Sequence, residues 1–480
     1  MSSQFEHISS QKRYVSVRAI LETGMILAGV VATLFLLPRR GFYDGDVRFN
    51  AMANLIEHGS ISNMSYSIVG PAFSLPLLLL GKLYKSLFWW SGKYNKLVFF
   101  AGLLFIYLLL KDRVDRGLVR KFLLVLIVAS MFSNALTFYG GEVFTAICVG
   151  VGIIAVISGP SLYGWIAIIL GVVNTPASVA GLSLITLKHI LNTRRLKYLL
   201  PLIISGVLIM AEAWWRRGSP FDSGYKNQTF STPFLLGLLS ILFSFGKGLI
   251  FFTPGLLLPI KDSLNKIQKR VKGNEWNFYA VYSFWMNFLI GLIIIYSSWW
   301  AWDGGWFWGP RFFLFASIPA SFALAVRLHH TRTELRFNLL TLIVFCLSVW
   351  VAIDGAIFDQ DTLAKVCVAN HFAQNYLCQY VPAFSVLWRP FMVYESLNRT
   401  QMFYIAYSMI VALYLAAPIL KVTVQQIVEI LQNIISMNPR LSGWYDLKLP
   451  DIQLEKSLAS SQSPENDETL PRMFTNDLDK

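Results

Sequence analysis

Long apolar runs separated by short polar loops recur along the whole of this 480-residue chain. A helix that crosses a bilayer needs about 20 apolar residues, and only helices or closed barrels satisfy every backbone polar group in lipid. The runs here are continuous and rich in Leu and Ile, which favours helices. The sequence therefore predicts an all-α polytopic membrane protein with about 11–13 transmembrane helices.

Ten of these runs are predicted spans, and two further apolar regions are ambiguous. Residues 68–90 are interrupted by Pro71, Pro76 and a glycine, and residues 164–187 by the sequence Asn174-Thr175-Pro176. We expect 68–90 to be re-entrant or interfacial, and 164–187 to be a broken hairpin that returns to its own side. The ten spans are predicted near 19–37, 97–110, 122–139, 142–158, 198–215, 248–260, 278–300, 312–326, 337–357 and 402–420.

The distribution of Lys and Arg supports this arrangement. With the N-terminus in the cytoplasm, the predicted inner segments hold 20 Lys and Arg in 65 residues, whereas the outer connections hold 15 in 119. Positive residues concentrate in short cytoplasmic loops. A full crossing by 68–90 would place the basic segment 111–121 outside, against this bias. The net charge of +14 therefore reflects topology, and no nucleic acid partner is expected.

The chain divides into three predicted regions. Residues 1–420 form the transmembrane domain, with a first outer loop at about 38–96. Apolar residues at helical spacing predict an amphipathic helix on the cytoplasmic surface over 421–450. Residues 451–480 are rich in Ser, Pro and acids, which is typical of disorder. Both termini are expected in the cytoplasm, and residues 1–18 lack the apolar core and cleavage site of a signal peptide.

The first outer loop carries two neighbouring acids ahead of an amphipathic helix pattern. A carboxylate within hydrogen-bond reach of a hydroxyl can act as general base. Asp46 has the alternative role of capping the helix expected to begin near Val47, and Asp44 that of a turn residue before Gly45. Two acids can also bind a divalent cation. No further ligand lies nearby in the sequence, so no metal site is predicted.

Glu142 directly follows two glycines at the start of a predicted span. A helix N-terminus favours negative charge, so placement in the first turn is one explanation. The topology adds another, because it puts Glu142 on the same outer face as Asp46. Glu142 is therefore a candidate second acid of the same cavity.

Basic residues on the predicted outer face divide into two groups. Arg216 and Arg217 flank the end of a span, and we assign them to lipid headgroups. Lys247 and Arg311 lie in glycine-containing turns. Arg binds phosphate through its planar fork and Lys as a point charge, so these two are candidate phosphate ligands.

A cluster of Trp and Phe over residues 299–308 alternates with Asp and Gly. Tryptophan belts at bilayer interfaces account for part of it, and the interleaved glycines indicate a loop whose rings face a cavity and a lipid chain. Cys367 and Cys378 share one loop, and their pairing depends on whether that loop faces an oxidising compartment. The histidines show no metal-ligand spacing.

Four stretches follow one another in a recognisable order. They are GDVRFNAMANLIEHGSI (45–61) with YSIVGPAFSLPLLLLG (66–81), then FYGGEVF (138–144), the block 219–258, and WDGGWFWGPRFFLFASIP (302–319). Together they resemble GT-C-type membrane glycosyltransferases, which include the protein O-mannosyltransferases and the lipid A aminoarabinose transferases. The resemblance covers residues 20–330 in patches.

This resemblance implies transfer of a sugar, with inversion, from a polyprenyl-phosphate donor to a glycan, lipid or protein acceptor on the outer face. Asp46 matches the loop acid expected to act as base. Val47 stands where many members carry an acid, which disfavours a metal and raises the chance that Asp44 shares the task. Glu142 matches the second acidic position. No cofactor is expected. The expected substrate-binding residues are Lys247, Arg311, Tyr225, Trp302, Trp306 and His58.

The alternative function is a transporter or flippase for a lipid-linked glycan. Such a protein places ionisable residues inside the bundle near the middle of the membrane. The acids Glu22, Glu212 and Asp354 instead lie toward span ends, which favours the enzyme. A bacterial inner membrane is the expected location, with the endoplasmic reticulum as the alternative. The sugar and the acceptor are not specified by the sequence.

Overall fold

Helices make up the secondary structure of this protein, as the all-α prediction expected. The computed structural model describes residues 16–41, 43–84, 86–159, 161–225, 228–268, 278–305, 307–331, 334–358, 366–367, 374–393 and 396–437, and these residues contain no strand. Their α-helices are α1 (Val17–Leu36), α2 (Tyr43–His58), α3 (Val69–Ala72), α4 (Leu75–Tyr84), α5 (Leu87–Leu110), α6 (Arg116–Val128), α7 (Phe132–Ala135), α8 (Glu142–Ser158), α9 (Ser161–Asn174), α10 (Val179–Thr193), α11 (Leu200–Arg217), α12 (Phe234–Phe243), α13 (Leu249–Phe252), α14 (Lys261–Gln268), α15 (Phe278–Ser297), α16 (Ser317–His329), α17 (Leu335–Ile357), α18 (Asn375–Tyr380) and α19 (Arg399–Met437).

Membrane-spanning candidates account for most of the long helices. Within the described residues, seven helices are long and apolar enough to cross a membrane by length and composition. Four shorter apolar helices accompany them, of which Leu75–Tyr84 belongs to the region 68–90 described below. The chain is thus an integral membrane protein. The seven are Val17–Leu36, Leu87–Leu110, Leu196–Arg217, Phe278–Ser297, Arg311–His329, Leu335–Ile357 and Arg399–Ile434, and the shorter ones are Leu75–Tyr84, Glu142–Ser158, Ser161–Asn174 and Phe234–Phe243.

The centre of the bundle is formed by α6, α15 and α16. The rings of Phe122, Trp285 and Phe322 are fully buried and contact one another. Peripheral helices instead expose large apolar side chains, such as Phe35 in α1 and Trp214 in α11. Lipid tails are as apolar as these side chains, so this exposure is what a bundle in a bilayer requires.

Residues 68–90 do not cross the bundle. Before α3, the backbone N–H of Ile68 donates to Glu212 Oε1 near the end of α11, at 2.7 Å. After α4, Lys93 Nζ in the first turns of α5 donates to Leu34 O near the end of α1, at 2.8 Å. Both ends of the region therefore lie where α1 and α11 end, here called the site end. The ten residues of α4 span only about 15 Å. The prediction that this region is re-entrant or interfacial, and not a full crossing, is confirmed.

The broken hairpin predicted at 164–187 is also present. Helix α9 ends at the Asn174-Thr175-Pro176 sequence, and α10 begins after the 3-10 turn Pro176–Ser178. Toward the opposite end of the bundle, the ring of Trp165 in α9 contacts that of His189 in α10, with centroids 6.0 Å apart. The chain therefore returns to the side from which it came.

The continuous span predicted at 248–260 is wrong. The chain passes through this part of the bundle as α12, a turn around Lys247, the four-residue α13 and the 3-10 turn Pro254–Leu257. Glycines and Pro254 interrupt the helical hydrogen bonds here. The span predicted near 122–139 is likewise too long, since α6 ends at Val128.

The C-terminal region forms a second compact unit, Val424–Lys480. Its described part is the last portion of α19, which ends at Met437. The surface helix predicted over 421–450 falls partly on α19, and its location on a membrane surface stays a prediction. The disordered tail predicted over 451–480 lies outside the described residues.

Candidate active site

Helix α2 carries both acids of the first loop in its first turn. The helix begins at Tyr43, earlier than the expected start near Val47, so Asp46 lies within the helix and does not cap it. Residues two positions apart on an α-helix point about 200° apart. Asp44 and Asp46 therefore face different surroundings, and only one of them can face the cavity described below.

Asp44 is held by two hydrogen bonds. Arg311 Nη1 donates to Asp44 Oδ2 at 2.5 Å, and the Tyr66 hydroxyl donates to Oδ1 at 2.5 Å. Burial raises the pKa of Tyr66, and the adjacent charge of Asp44 raises it further, so the phenol keeps its proton and remains a donor. Each carboxylate oxygen has a second lone pair, and the Asp44 side chain is 17% exposed. Asp44 can thus still accept a proton from a substrate.

Arg311 is positioned by the glycine-rich loop that precedes it. Gly304 and Gly309 have φ angles of +75° and +63°, a region that residues with a Cβ rarely adopt. A Cβ on Gly304 would lie 2.9 Å from Arg311 Cγ. The Arg311 guanidinium also stacks on the ring of Phe307, with 3.6 Å between Cζ and the ring centroid. The glycines of this sequence are therefore needed to aim Arg311 at Asp44.

Glu142 lies on the other side of Arg311. Its Oε1 is 3.7 Å from Arg311 Nη1, so one guanidinium serves both carboxylates. Glu142 and Arg311 border a small, partly open cavity. The structure thus brings Glu142 and Arg311 to Asp44 in the first loop, whereas the sequence analysis expected them, with Lys247, on the same face as Asp46. The lining residues are Met131, Asn134, Ala135, Phe138, Glu142, Val143, Phe307, Trp308, Arg311 and Leu314.

Asp46 faces away from this cluster. Its Oδ1 lies 3.8 Å from Arg39 Nη2, and its side chain is 44% exposed. Arg39 stacks on Phe88, with 3.2 Å between Cζ and the ring centroid, and burial lowers the pKa of Arg39 to about 10. The geometry gives the choice of Asp46 as base no support, and Asp44 is the loop acid beside Arg311.

Lys247 does not face the cavity. Its Nζ donates to the carbonyl oxygens of Gly305 at 3.0 Å, Phe307, and Gly309 at 3.1 Å. A Lys ammonium has three donors, so all of them are used by the loop that carries Arg311. In this structure Lys247 shapes that loop and is not available as a phosphate ligand.

Tyr225 belongs to the site. Its ring lies edge-on to that of Tyr66, with centroids 6.1 Å apart, and to that of Trp299 at 6.0 Å. Burial raises the pKa of Tyr225, and the charges of Arg48, Asp44, Arg311 and Glu142 all act on it. Tyr225 therefore lies beside Tyr66, which donates to Asp44, and near these four charged groups.

The remaining predicted ligands lie elsewhere or outside the described residues. Trp302 is buried against Tyr380, with centroids 6.2 Å apart. His58 is exposed at the last position of α2, about 21 Å along the helix from Asp44. The choice of His58 is wrong for that reason. Trp306 lies outside the described residues.

Two residues that the sequence analysis did not assign to the site join the first loop to the bundle. Asn174 Oδ1 accepts from the Gly70 N–H at 2.9 Å, and its Nδ2 donates to Gly141 O at 2.8 Å. Arg216 donates to the carbonyl oxygens of Met64 and Tyr66 at 2.6 and 2.7 Å. Its assignment to lipid headgroups is wrong, because it is buried and bound to protein.

Arg48 was also missed, although the sequence held a signal for it. It follows Asp44 by four positions, so on a helix both lie on one face. It is buried, and its Cζ lies 4.7 Å from the centroid of the Tyr66 ring. The site therefore contains a second arginine besides Arg311.

Comparisons with known proteins return a structural likeness alone. No family model matches the chain, and no curated protein matches its sequence. One similar solved structure is the crystal structure of ArnT from Cupriavidus metallidurans bound to undecaprenyl phosphate. The alignment covers 84% of this chain and 77% of the ArnT chain, at 14% sequence identity and a TM-score of 0.47. The apo structure of the same protein aligns with 84% and 76%, at 15% identity and a TM-score of 0.47. At this identity the likeness concerns the fold only.

Proposed function

We propose that this protein is a membrane glycosyltransferase that moves a sugar from a polyprenyl-phosphate donor to a glycan, lipid or protein acceptor, with Asp44 as general base. The convergence of Asp44, Glu142 and Arg311 beside an open cavity of an apolar helical bundle carries the proposal. Glu142 and Arg311 lie in two of the stretches that resemble GT-C-type enzymes, and Asp44 immediately precedes a third.

The proposed step is a single displacement at the anomeric carbon of the sugar. The acceptor oxygen bonds to that carbon while the bond from the carbon to the phosphate oxygen breaks, which inverts the anomeric centre. Asp44 takes the proton of the acceptor hydroxyl. The electron pair of the broken bond stays on the phosphate, which leaves as polyprenyl phosphate. Arg311 offsets negative charge at the site as the phosphate leaves.

The lining of the cavity suits this chemistry. Ligand sites are usually apolar with a few polar groups that fix orientation. Here Phe138, Phe307 and Trp308 supply aromatic surface, and Glu142 and Arg311 supply the polar groups. A sugar ring presents both apolar faces and hydroxyl groups, so these lining side chains match its surface chemistry.

A disulfide supports an extracytoplasmic position for the site end. Cys367 and Cys378 are bonded, with their Cα atoms 6.2 Å apart. The adjacent Gln379 donates through Nε2 to Asp303 Oδ2 at 2.7 Å, which attaches this segment to the loop before Arg311. Disulfides persist in oxidising compartments. We therefore place the site end in the periplasm or lumen and both termini in the cytoplasm.

The test is a comparison of envelope glycans by mass spectrometry in the source cell. Deletion should remove one sugar from a glycan, lipid or protein, and the wild-type chain should restore it. Asp44→Asn should fail to restore it at equal protein level and with an unchanged elution profile in detergent. Asp112→Asn, an exposed acid at the opposite end of the bundle, is the matched control and should restore it. An unaltered glycan profile in the deletion strain would refute the proposed function.

A further inference from the structure

Arg48 is a buried cation whose donors are largely unused. The residue is 6% exposed, and its Nε and Nη1 have no hydrogen-bond partner among the residues that the structure describes. No ion pair within the described chain includes it, whereas Arg311 lies within 4.0 Å of both Asp44 and Glu142. A buried charge without a partner is costly. The free donors therefore indicate that an anion belongs beside Arg48.

These donors lie at the N-terminus of α8, a helix of 17 residues. The N-cap is Gly141, which provides no side-chain hydrogen bond to the first turn. A Cβ on Gly141 would lie 2.6 Å from Arg48 Nη1, so the guanidinium rests directly against this backbone. The first N–H groups of a helix lack intrahelical acceptors and carry partial positive charge. Glu142 also lies in this first turn, and its carboxylate is 3.7 Å from Arg311 Nη1. Arg48 and the helix N-terminus are thus two sources of positive potential beside a carboxylate that has its own cation.

We propose that Arg48 and the N-terminus of α8 form the binding site for the phosphate group of an isoprenoid lipid phosphate. This inference rests on the proposed glycosyltransferase function and identifies which residues hold the donor's phosphate. Phosphate suits the site because its several oxygens can accept from a planar guanidinium and from helix N–H groups together.

The charges of the neighbouring groups separate two halves of the site. Arg311 is engaged with Asp44 and Glu142, so this half holds one cation and two carboxylates, whereas the charge of Arg48 is not offset in this way. Arg48 lies one helical turn further along α2, about 6 Å from Asp44 along the axis. A sugar ring between them would have its acceptor near Asp44 and its phosphate near Arg48. The negative charge released on the phosphate would then develop beside a cation that carries no other ion pair among the described residues.

A substitution at Gly141 tests the proposed phosphate site independently of a substitution at Arg48. The atoms that a Cβ would meet are the far ends of two side chains, Arg48 Nη1 at 2.6 Å and Asn174 Nδ2 at 3.0 Å. Gly141 has a φ of −86°, which any residue adopts. Gly141→Ala should therefore displace the Arg48 guanidinium without changing the total charge.

Direct binding to the full chain in detergent tests the proposal. Native mass spectrometry and the thermal midpoint are measured with undecaprenyl phosphate, undecaprenol, inorganic phosphate and phosphatidylglycerol. The variants are Arg48→Gln, Arg48→Lys and Gly141→Ala. Arg39→Gln is the matched control, because Arg39 is also buried and near α2 but stacks on Phe88 away from the cavity.

We expect Arg48→Gln and Gly141→Ala to bind undecaprenyl phosphate at least tenfold more weakly, Arg48→Lys to recover part of the loss, and Arg39→Gln to bind like wild type. Undecaprenol should bind equally weakly to wild type and Arg48→Gln. Equal affinity of Arg48→Gln and wild type for undecaprenyl phosphate overturns this inference and leaves the proposed function standing. Phosphatidylglycerol that competes as well as undecaprenyl phosphate assigns the site to ordinary headgroups and also overturns it. Failure of wild type to bind undecaprenyl phosphate refutes both.

Discussion

Arg311 Nη1 lies 2.5 Å from Asp44 Oδ2, although 267 residues separate the two in the sequence. The contact joins the first turn of α2 to the loop before α16. Neither segment forms a site alone, since Asp44 would lack its cation and Arg311 its orientation. Activity should therefore be sensitive to changes in either segment.

Asp44→Asn should lower sugar transfer by at least 100-fold, since general-base catalysis contributes about 10² to 10⁴. Asp46→Asn should stay within a fewfold of wild type, because the Asp46 carboxylate faces Arg39. Initial rates of sugar release from the donor, measured at equal protein level, compare the two. The reverse order of activities would restore Asp46 as the base.

Tyr66→Phe should lower kcat about tenfold and leave KM for the donor unchanged. The variant keeps the ring but removes the hydroxyl that donates to Asp44 Oδ1. A hydrogen bond to a charged group contributes about 1.5–3 kcal/mol, and about 1.4 kcal/mol corresponds to tenfold in rate. A change confined to KM would show that Tyr66 binds the donor and does not orient Asp44.

Lys247→Met should destabilise the protein by about 3 kcal/mol or more, because three buried carbonyl oxygens would lose their donor. The thermal midpoint in detergent, followed by intrinsic fluorescence, measures this loss. Lys82→Met is the control, since Lys82 is exposed and makes one long contact to Ile56 O at 3.5 Å. An unchanged midpoint with weaker donor binding would instead support the phosphate role expected from the sequence.

Cysteine labelling tests the orientation. Phe221→Cys at the site end, where Phe221 is 86% exposed, should react with a membrane-impermeant maleimide in intact cells. Arg116→Cys at the opposite end should react only after permeabilisation. Both are placed in a Cys148→Ser, Cys346→Ser background. Labelling of Arg116→Cys from outside would invert the topology.

Removal of divalent cations should leave transfer within twofold of its untreated rate. Arg311 already supplies positive charge between Asp44 and Glu142, so both carboxylates have a cation within 4.0 Å. Rates are compared after dialysis against EDTA and after readdition of Mg²⁺ or Mn²⁺. A large loss that either ion reverses would make a metal part of the site. The absence of a cofactor stays a prediction until then.

The distribution of charged and apolar residues along the sequence predicted which segments cross the membrane and which return to the same side. The return of 164–187 and the re-entrant 68–90 followed from where Lys and Arg fall. The broken passage around Lys247 did not, because a buried irregular segment is as apolar as a helix. The hydrophobic pattern of a segment cannot distinguish a helix from a buried irregular segment whose missing hydrogen bonds come from neighbouring side chains. Lys247 supplies such hydrogen bonds to the loop beside it.

The sequence predicted several residues of the candidate site, but it did not predict the role of each one. The sequence identified Glu142 and Arg311 as neighbours of the first loop, because this requires only that all three lie on the same side of the membrane. The choice between Asp44 and Asp46 depends on the first residue of α2, and helix boundaries read from sequence vary by several residues. Arg48 was overlooked because a basic residue on a surface helix is usually solvated, and only the packing of Tyr66 and Gly141 around it shows otherwise.

The lengths of α8 and α9 determine how deep the site lies. Their 17 and 14 residues span about 26 and 21 Å, less than the roughly 30 Å of a bilayer's hydrocarbon core. Such hydrophobic mismatch is accommodated by local thinning of the bilayer. The N-terminus of α8 and the end of α9 at Asn174 would then lie below the average level of the headgroups. If Arg48 binds the donor's phosphate as proposed, the lipid delivers its headgroup there while its chain stays in the leaflet, and sugar transfer needs no extraction step.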